Sequence, residues 1–191
     1  MVRRSNISVK TPRKAFRVPL TARLGTVANR IDALTAWVGR SVAWCLLAMV
    51  IVQVVVVIMR YVLGLGSLWL QETVTYAHAT LFMLAAAWTL QRGGHVRVDI
   101  FYADATPRRK ALIDLLGALV LLFPFAVMLV VLSVPYVERS WLIFERSRET
   151  SGLPLVFLLK TLIPLFALLL GLQGISQTIR SMLVLTDPGR R

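Results

Sequence analysis

A single cysteine, Cys45, lies within an apolar run, so one chain can build neither a disulfide framework nor a thiolate zinc site, and a two-thiol relay is excluded with them. Acids are scarce as well: nine Asp and Glu stand against 22 Lys and Arg, for a formal net charge of +13 and a pI of about 11.4. No G-x-S-x-G, H-E-x-x-H or phosphate-cradling glycine loop occurs, which leaves the hydrolase, metalloprotease and nucleotide-binding classes without the residues their chemistry needs. The histidines number two, His78 and His95. They are 17 residues apart, about 25 Å if helical throughout at ~1.5 Å per residue. One haem cannot bridge that distance, and two haems would need more axial ligands than exist. His78 therefore reads as a satisfied polar group between helices, and neither an enzyme nor a cofactor is expected.

What the chain has in abundance is apolar sequence. Of its 191 residues 57% are hydrophobic, and the mean hydropathy is +0.72, whereas soluble domains average about 45–50% apolar residues. The class is an integral membrane protein. It is all-α, because a lone strand cannot satisfy its backbone in lipid. A strongly basic balance also describes nucleic-acid binders. Here the cations sit beside apolar runs, which points to anionic lipid headgroups as partners and not to nucleic acid.

The first forty residues carry nine Lys and Arg and one acid, Asp32. An Arg-rich, acid-poor start also fits an organelle transit peptide, and a cleaved secretory signal is a third reading. The signal would have an apolar core of only about 7–15 residues, whereas 41–59 is 19 residues without a charge. It reads as a retained span. Residues 1–18 are expected to form a basic disordered tail, with Pro12 and Pro19 discouraging an early helix. Over 19–40, Leu20, Leu24, Val27, Ile31, Leu34 and Val38 recur at helical spacing. This predicts an amphipathic interfacial helix with its apolar side in the lipid boundary; packing against another protein's helix is the alternative. Trp37 and Trp44 suit the interface where it bends into the membrane.

A four-helix membrane domain is expected over 41–183, with spans at about 41–63, 73–90, 111–136 and 154–179, followed by a basic tail over 184–191. The second span is small-sided, with Ala77, Ala79, Ala85, Ala86 and Ala87, which permits close helix approach in lipid. Pro124 and Pro135 fall in the third, where neighbours must recover the freed carbonyls. Counting Lys and Arg by side gives nine before residue 41, five in the 91–111 loop and three from Arg180 onward. The 64–72 turn has none, and 137–153 has three against three glutamates. By the positive-inside rule both termini are cytoplasmic.

The charges left near the spans have paired readings. Arg60 either snorkels to headgroups or pairs with Glu72 across the 64–67 turn. Lys160 has Glu149 as its nearest acid, 11 residues earlier, or a lipid phosphate. Ion-coupled transporters place ionisable groups near the bilayer midplane. Here Arg60, Glu72, Glu149 and Lys160 fall toward the outer ends, and no span has an acid at its centre. Gln53 and Gln173 are the central polar residues, and interhelical hydrogen bonding accounts for both. The four helices look like a scaffold. A self-contained small transporter or channel remains the alternative, with a membrane anchor for a redox enzyme as the weakest reading.

From Trp69-Leu70-Gln71-Glu72 onward the chain resembles the DctQ-like family, the small membrane subunit of tripartite ATP-independent periplasmic transporters. Trp-x-x-Glu enters the second helix, Leu84-Ala85-Ala86-Ala87-Trp88 follows, and Arg92 and His95 lead into Val98-Asp99. Glu149-x-x-Gly152-x-Pro154, then Lys160 and Pro164, resembles the family's approach to its fourth helix, and Arg60-Tyr61 fits before the turn. The resemblance covers 41–183 and departs from the pattern at Gln71, where an acid is common. It implies a complex of three proteins: a periplasmic substrate-binding protein that captures an organic acid, a large multi-span subunit that moves it with a sodium gradient, and this small subunit bracing the large one without a substrate site. Trp69 and Glu72 then either contact the large subunit or anchor the helix end. His95 with Arg92 and Arg97 either fixes the cytoplasmic loop to the partner or is solvated interfacial charge, and Asp99 belongs to the same loop.

Overall fold

The computed structural model describes residues 20–94 and 105–186, so His95, Asp99, the 1–18 tail and residues 187–191 lie outside the described residues. Four helices account for the regular structure among the described residues, and none of these residues is in a strand. They are α1 (Leu20–Tyr61), α2 (Leu68–Gln91), α3 (Pro107–Leu142) and α4 (Val156–Thr186). Three of them, α1, α3 and α4, are long and apolar enough to cross a membrane. α2 is long enough at 24 residues, about 36 Å at ~1.5 Å per residue, but it lies outside that apolar group. The reason is its run of Thr73, Thr75, Tyr76, His78 and Thr80.

Residues 20–61 form one uninterrupted helix, so the expected surface helix and the first span share one backbone ladder. Its 42 residues reach about 63 Å at ~1.5 Å per residue, twice a hydrocarbon core of ~30 Å. One half must therefore extend past the lipid tails. Ser67 caps α2 by accepting a hydrogen bond from the Leu70 amide at 3.4 Å, and Thr106 does the same for α3 from Arg109 at 3.4 Å, with Pro107 in the first turn. Both caps satisfy amides that a helix start leaves without partners. α3 contains a π-turn over Ala118–Leu122, closed by the Phe123 amide donating to the Ala118 carbonyl. Pro124 follows it directly. A proline has no N–H to give and its ring crowds the preceding turn; the wider π-turn makes room for it. Leu122 and Phe123 then abut Gly174 on α4.

The interior is small and polar and the exterior large and apolar. Buried positions include Ala28, Ala87, Ala118, Ala126 and Ala167, and the largest fully buried side chains are Thr35, Ser140 and Ser176. Leu121, Leu132, Val120 and Phe82 are each more than 60% exposed. In water this arrangement would be unstable. In lipid, where tails are as apolar as leucine, helices associate through close packing of small residues and interhelical hydrogen bonds. α1 shows the consequence. Val27 and Leu34, from its expected apolar face, are 47% and 45% exposed, while Ala28, Thr35, Gly39 and Val42 are buried at spacings of seven, four and three. At Gly39 a Cβ would stand 2.5 Å from Trp88 Cβ and 2.6 Å from its Cγ, so only glycine lets α1 and α2 approach this closely. α3 and α4 form the most extensive helix pair, with α1 and α2 next. α4 packs on all three other helices, and α3 packs chiefly on α4.

Candidate functional site

Two polar clusters sit at opposite ends of the bundle. At the end bearing the α1–α2 turn, the Glu72 carboxylate on α2 accepts from the Ser147 hydroxyl at 2.5 Å and from the Leu153 backbone amide at 2.5 Å. The α3–α4 loop is thereby clipped to the start of α2. Gly152 completes the clip, since a Cβ there would lie 2.7 Å from Glu72 Oε1. Beside it, the Lys160 ammonium donates to Glu145, which also accepts from the buried Ser140 hydroxyl at 2.7 Å. The Lys160 ammonium stands 4.0 Å from the centre of the Tyr136 ring, a cation–π contact. These donors, Lys160 first and Ser140 second, outweigh partial desolvation and hold the Glu145 carboxyl below the usual carboxylate range. Phe144 closes α3 with a φ of 45°, a region bulky residues rarely adopt; its ring packs edge-on against Phe157 at 5.7 Å. Trp141 donates to Thr161 at 2.9 Å and packs against the same Phe157 at 4.7 Å.

At the opposite end Asp32 is the hub. Its carboxylate accepts from Ser176 at 2.6 Å and Gln173 at 3.0 Å on α4, and from Arg180 Nε at 3.0 Å with a second bond from Arg180 Nη2. Arg180 also donates to Asn29 at 2.9 Å, Thr35 donates to Gln173 at 2.8 Å, and Gln91 of α2 donates to the Asp32 carbonyl at 3.1 Å. Three helices are tied at one residue. A cavity of about 280 Å³ opens beside it, lined by Lys110, Asp114, Gln177 and Arg180 among others.

The residues singled out in the sequence fare unevenly. Glu72 pairs with the α3–α4 loop and not with Arg60; Arg60 is exposed and makes no ion pair among the described residues. Both Glu72 oxygens are taken instead by the Ser147 hydroxyl and the Leu153 amide of that loop. Lys160 takes Glu145 and not Glu149, because Glu145 follows α3 directly while Glu149 lies exposed at the loop tip. Trp69 is half-exposed, and the Arg92 guanidinium lies 5.3 Å over the Trp88 ring. Gln173 bonds between helices as expected, whereas Gln53 is exposed. His78 is not between helices: it lies exposed on α2, its ring stacked on Phe82 at 6.4 Å. Asp32 was missed as a site. It was one acid among nine cations, and its spacing to Thr35 on one helix face was the available signal.

Both clusters join helices to one another, and among the described residues no group of three or more His, Cys, Asp or Glu is placed to hold a metal ion. The fold defines a multi-pass helical membrane protein whose polar residues fasten its own elements. Residues 31–183 match the family model described as "Tripartite ATP-independent periplasmic transporters, DctQ component". The chain belongs to that family and is a small membrane subunit of such a transporter, a multi-pass protein of the inner membrane. No curated protein and no solved structure matches it significantly.

Proposed function

We propose that this subunit is a non-catalytic brace for the large multi-span subunit of a sodium-driven importer of organic acids, which a periplasmic binding protein supplies. The observation that supports this reading is the use made of its charges. Asp32 with Arg180, and Glu145 with Lys160, form ion pairs at opposite ends of the bundle, and Glu72 holds a loop. A solute pathway needs ionisable or polar groups free in the bundle interior near mid-depth. The charged side chains named here are engaged in fixing helices at its rims, and His78 faces outward from the bundle. Both termini face the cytoplasm in this reading, so the Glu72 clip is periplasmic and the Asp32 hub cytoplasmic. The cations before residue 41 meet anionic lipid. Within the whole complex, Trp69, Arg92, His95, Asp99 and Glu149 remain candidates for docking or topology. Uptake of a labelled organic acid tests the proposal: deleting this subunit should abolish sodium-dependent uptake, and the purified subunit alone in liposomes should move none. Transport by the lone subunit would establish the self-contained transporter instead.

A further inference from the structure

Across the faces that α1, α3 and α4 turn outward, the exposed side chains within the apolar runs are those that suit lipid tails, such as Leu46, Val50 and Val57 on α1, Val127 and Val131 on α3, and Leu165 and Leu168 on α4, with Gln53 on α1 a polar exception. α2 differs. Its exposed residues Gln71, Thr75, His78, Phe82 and Thr89, with Ala85 between the last two, recur at alternating spacings of four and three. That is the repeat of a helix-packing seam. His78 lies ten residues past Leu68, about 15 Å along the axis at ~1.5 Å per residue, which is inside the stretch of α2 that a hydrocarbon core of ~30 Å would cover. Thr75 and Thr89 return their hydroxyls to the helix, at Gln71 O (3.3 Å) and Ala85 O (3.1 Å). The His78 imidazole and the Gln71 side-chain amide make no hydrogen bond among the described residues. A polar side chain facing lipid at this depth is unfavourable by several kcal/mol, whereas the same group against a protein surface is a source of interhelical hydrogen bonds. A groove of about 510 Å³ runs beside the stripe, lined by His78, Phe82, Ala85, Thr89 and Phe166.

We propose that this face of α2 is where a transmembrane helix of the large subunit seats, with a hydrogen-bonding side chain opposite His78 and an apolar one in the groove. The proposal rests on the bracing reading and names its surface. Alternating polar residues with Phe82 and Ala85 give register to such a contact, because a shifted partner would leave His78 unpaired.

A photo-crosslinking amino acid placed at Phe82, or at Val131 on α3 as the control, is expressed with a tagged large subunit in native membranes. The expected result is an adduct with the large subunit from position 82, at least tenfold above that from position 131. Equal yields, no adduct at position 82, or an adduct there with a second copy of this chain overturns the assignment. The untouched chain is also tested for recovery with the tagged subunit: recovery without an adduct at position 82 overturns this surface alone, and absence of recovery overturns the bracing reading with it. The double variant Thr75→Leu/His78→Leu makes the face more lipophilic and should leave the unfolding temperature of the isolated chain unchanged. Recovery with the large subunit should fall at least tenfold; undiminished recovery overturns the proposal.

Discussion

Glu72 concentrates two charge-assisted hydrogen bonds on one carboxylate, and each such bond contributes about 1.5–3 kcal/mol when neither partner can turn to water. Glu72→Gln keeps one acceptor oxygen and loses the charge, so a loss of about 1–3 kcal/mol is expected. Thermal unfolding in detergent checks it, together with faster tryptic cleavage at Arg146 and Arg148 in the freed loop. Since Arg60 stands apart from Glu72, Arg60→Gln should add to that loss without coupling; a coupling energy above about 0.5 kcal/mol would restore the pairing. The Glu145–Lys160 pair gives a pH signature. The folded Glu145 carboxyl titrates below its ordinary value of 4.5, so its contribution is present above that value and disappears as pH falls through the lower folded one. An acid titration of unfolding temperature should show this loss in the wild type, and Glu145→Gln should remove it while lowering the neutral-pH plateau. At the other end, Asp32→Ala strands Ser176, Gln173 and Arg180 together. Arg180→Ala removes only a side chain that is 52% exposed, a kind of partner whose contribution is about 0–1 kcal/mol. The aspartate variant should be clearly the less stable of the two in the same melts.

Among the elements, the α1–α2 contact has the least tolerance. Gly39→Val places branched carbons inside the volume held by Trp88, and overpacking of this kind costs about 1–3 kcal/mol. Trp88→Ala in the same chain should recover much of that loss, read by circular dichroism melts of the four variants. Helix existence was legible in the sequence, because long uncharged runs have one stable form in lipid: each expected span lies within α1 to α4 apart from residues at its edges. Which face of a helix turns inward was not. The spacing of Val27, Leu34 and Val38 turns them to the lipid boundary or to another protein's helix, and Val27 and Leu34 are exposed; it does not say what the opposite side packs with. Burial went to Ala28, Thr35 and Gly39, with Asp32 partly covered beside them, and their small size and hydrogen-bonding capacity are what drives association where there is no hydrophobic gain. The same gap misplaced His78 and left Asp32 unnoticed. Pairings across loops, such as Lys160 with Glu145, depend on where a helix stops, and neither the end of α3 at Leu142 nor the positive φ of Phe144 can be read from periodicity.

For the molecule as a whole, charge asymmetry predicts orientation. Reporters that are active only outside the cytoplasm should work when fused near residue 65 or 150 and be silent at residue 94 or the C-terminus. The reverse pattern would place the Glu72 clip in the cytoplasm. α2 is the critical segment in such a map, since it has the spanning length but lacks the apolar character of the other three. The order in which the chain is synthesised bears on how this bundle can mature. α4 is made after α1, α2 and α3, and it is the one on which all three pack. Until it arrives, α3 waits beside the nascent α1–α2 hairpin with no large surface to lean on, and Asp32 has yet to meet its arginine. Closure of the bundle therefore waits on the synthesis of α4, and a chain truncated before residue 156 would be a product that membrane proteases should recognise as unfinished.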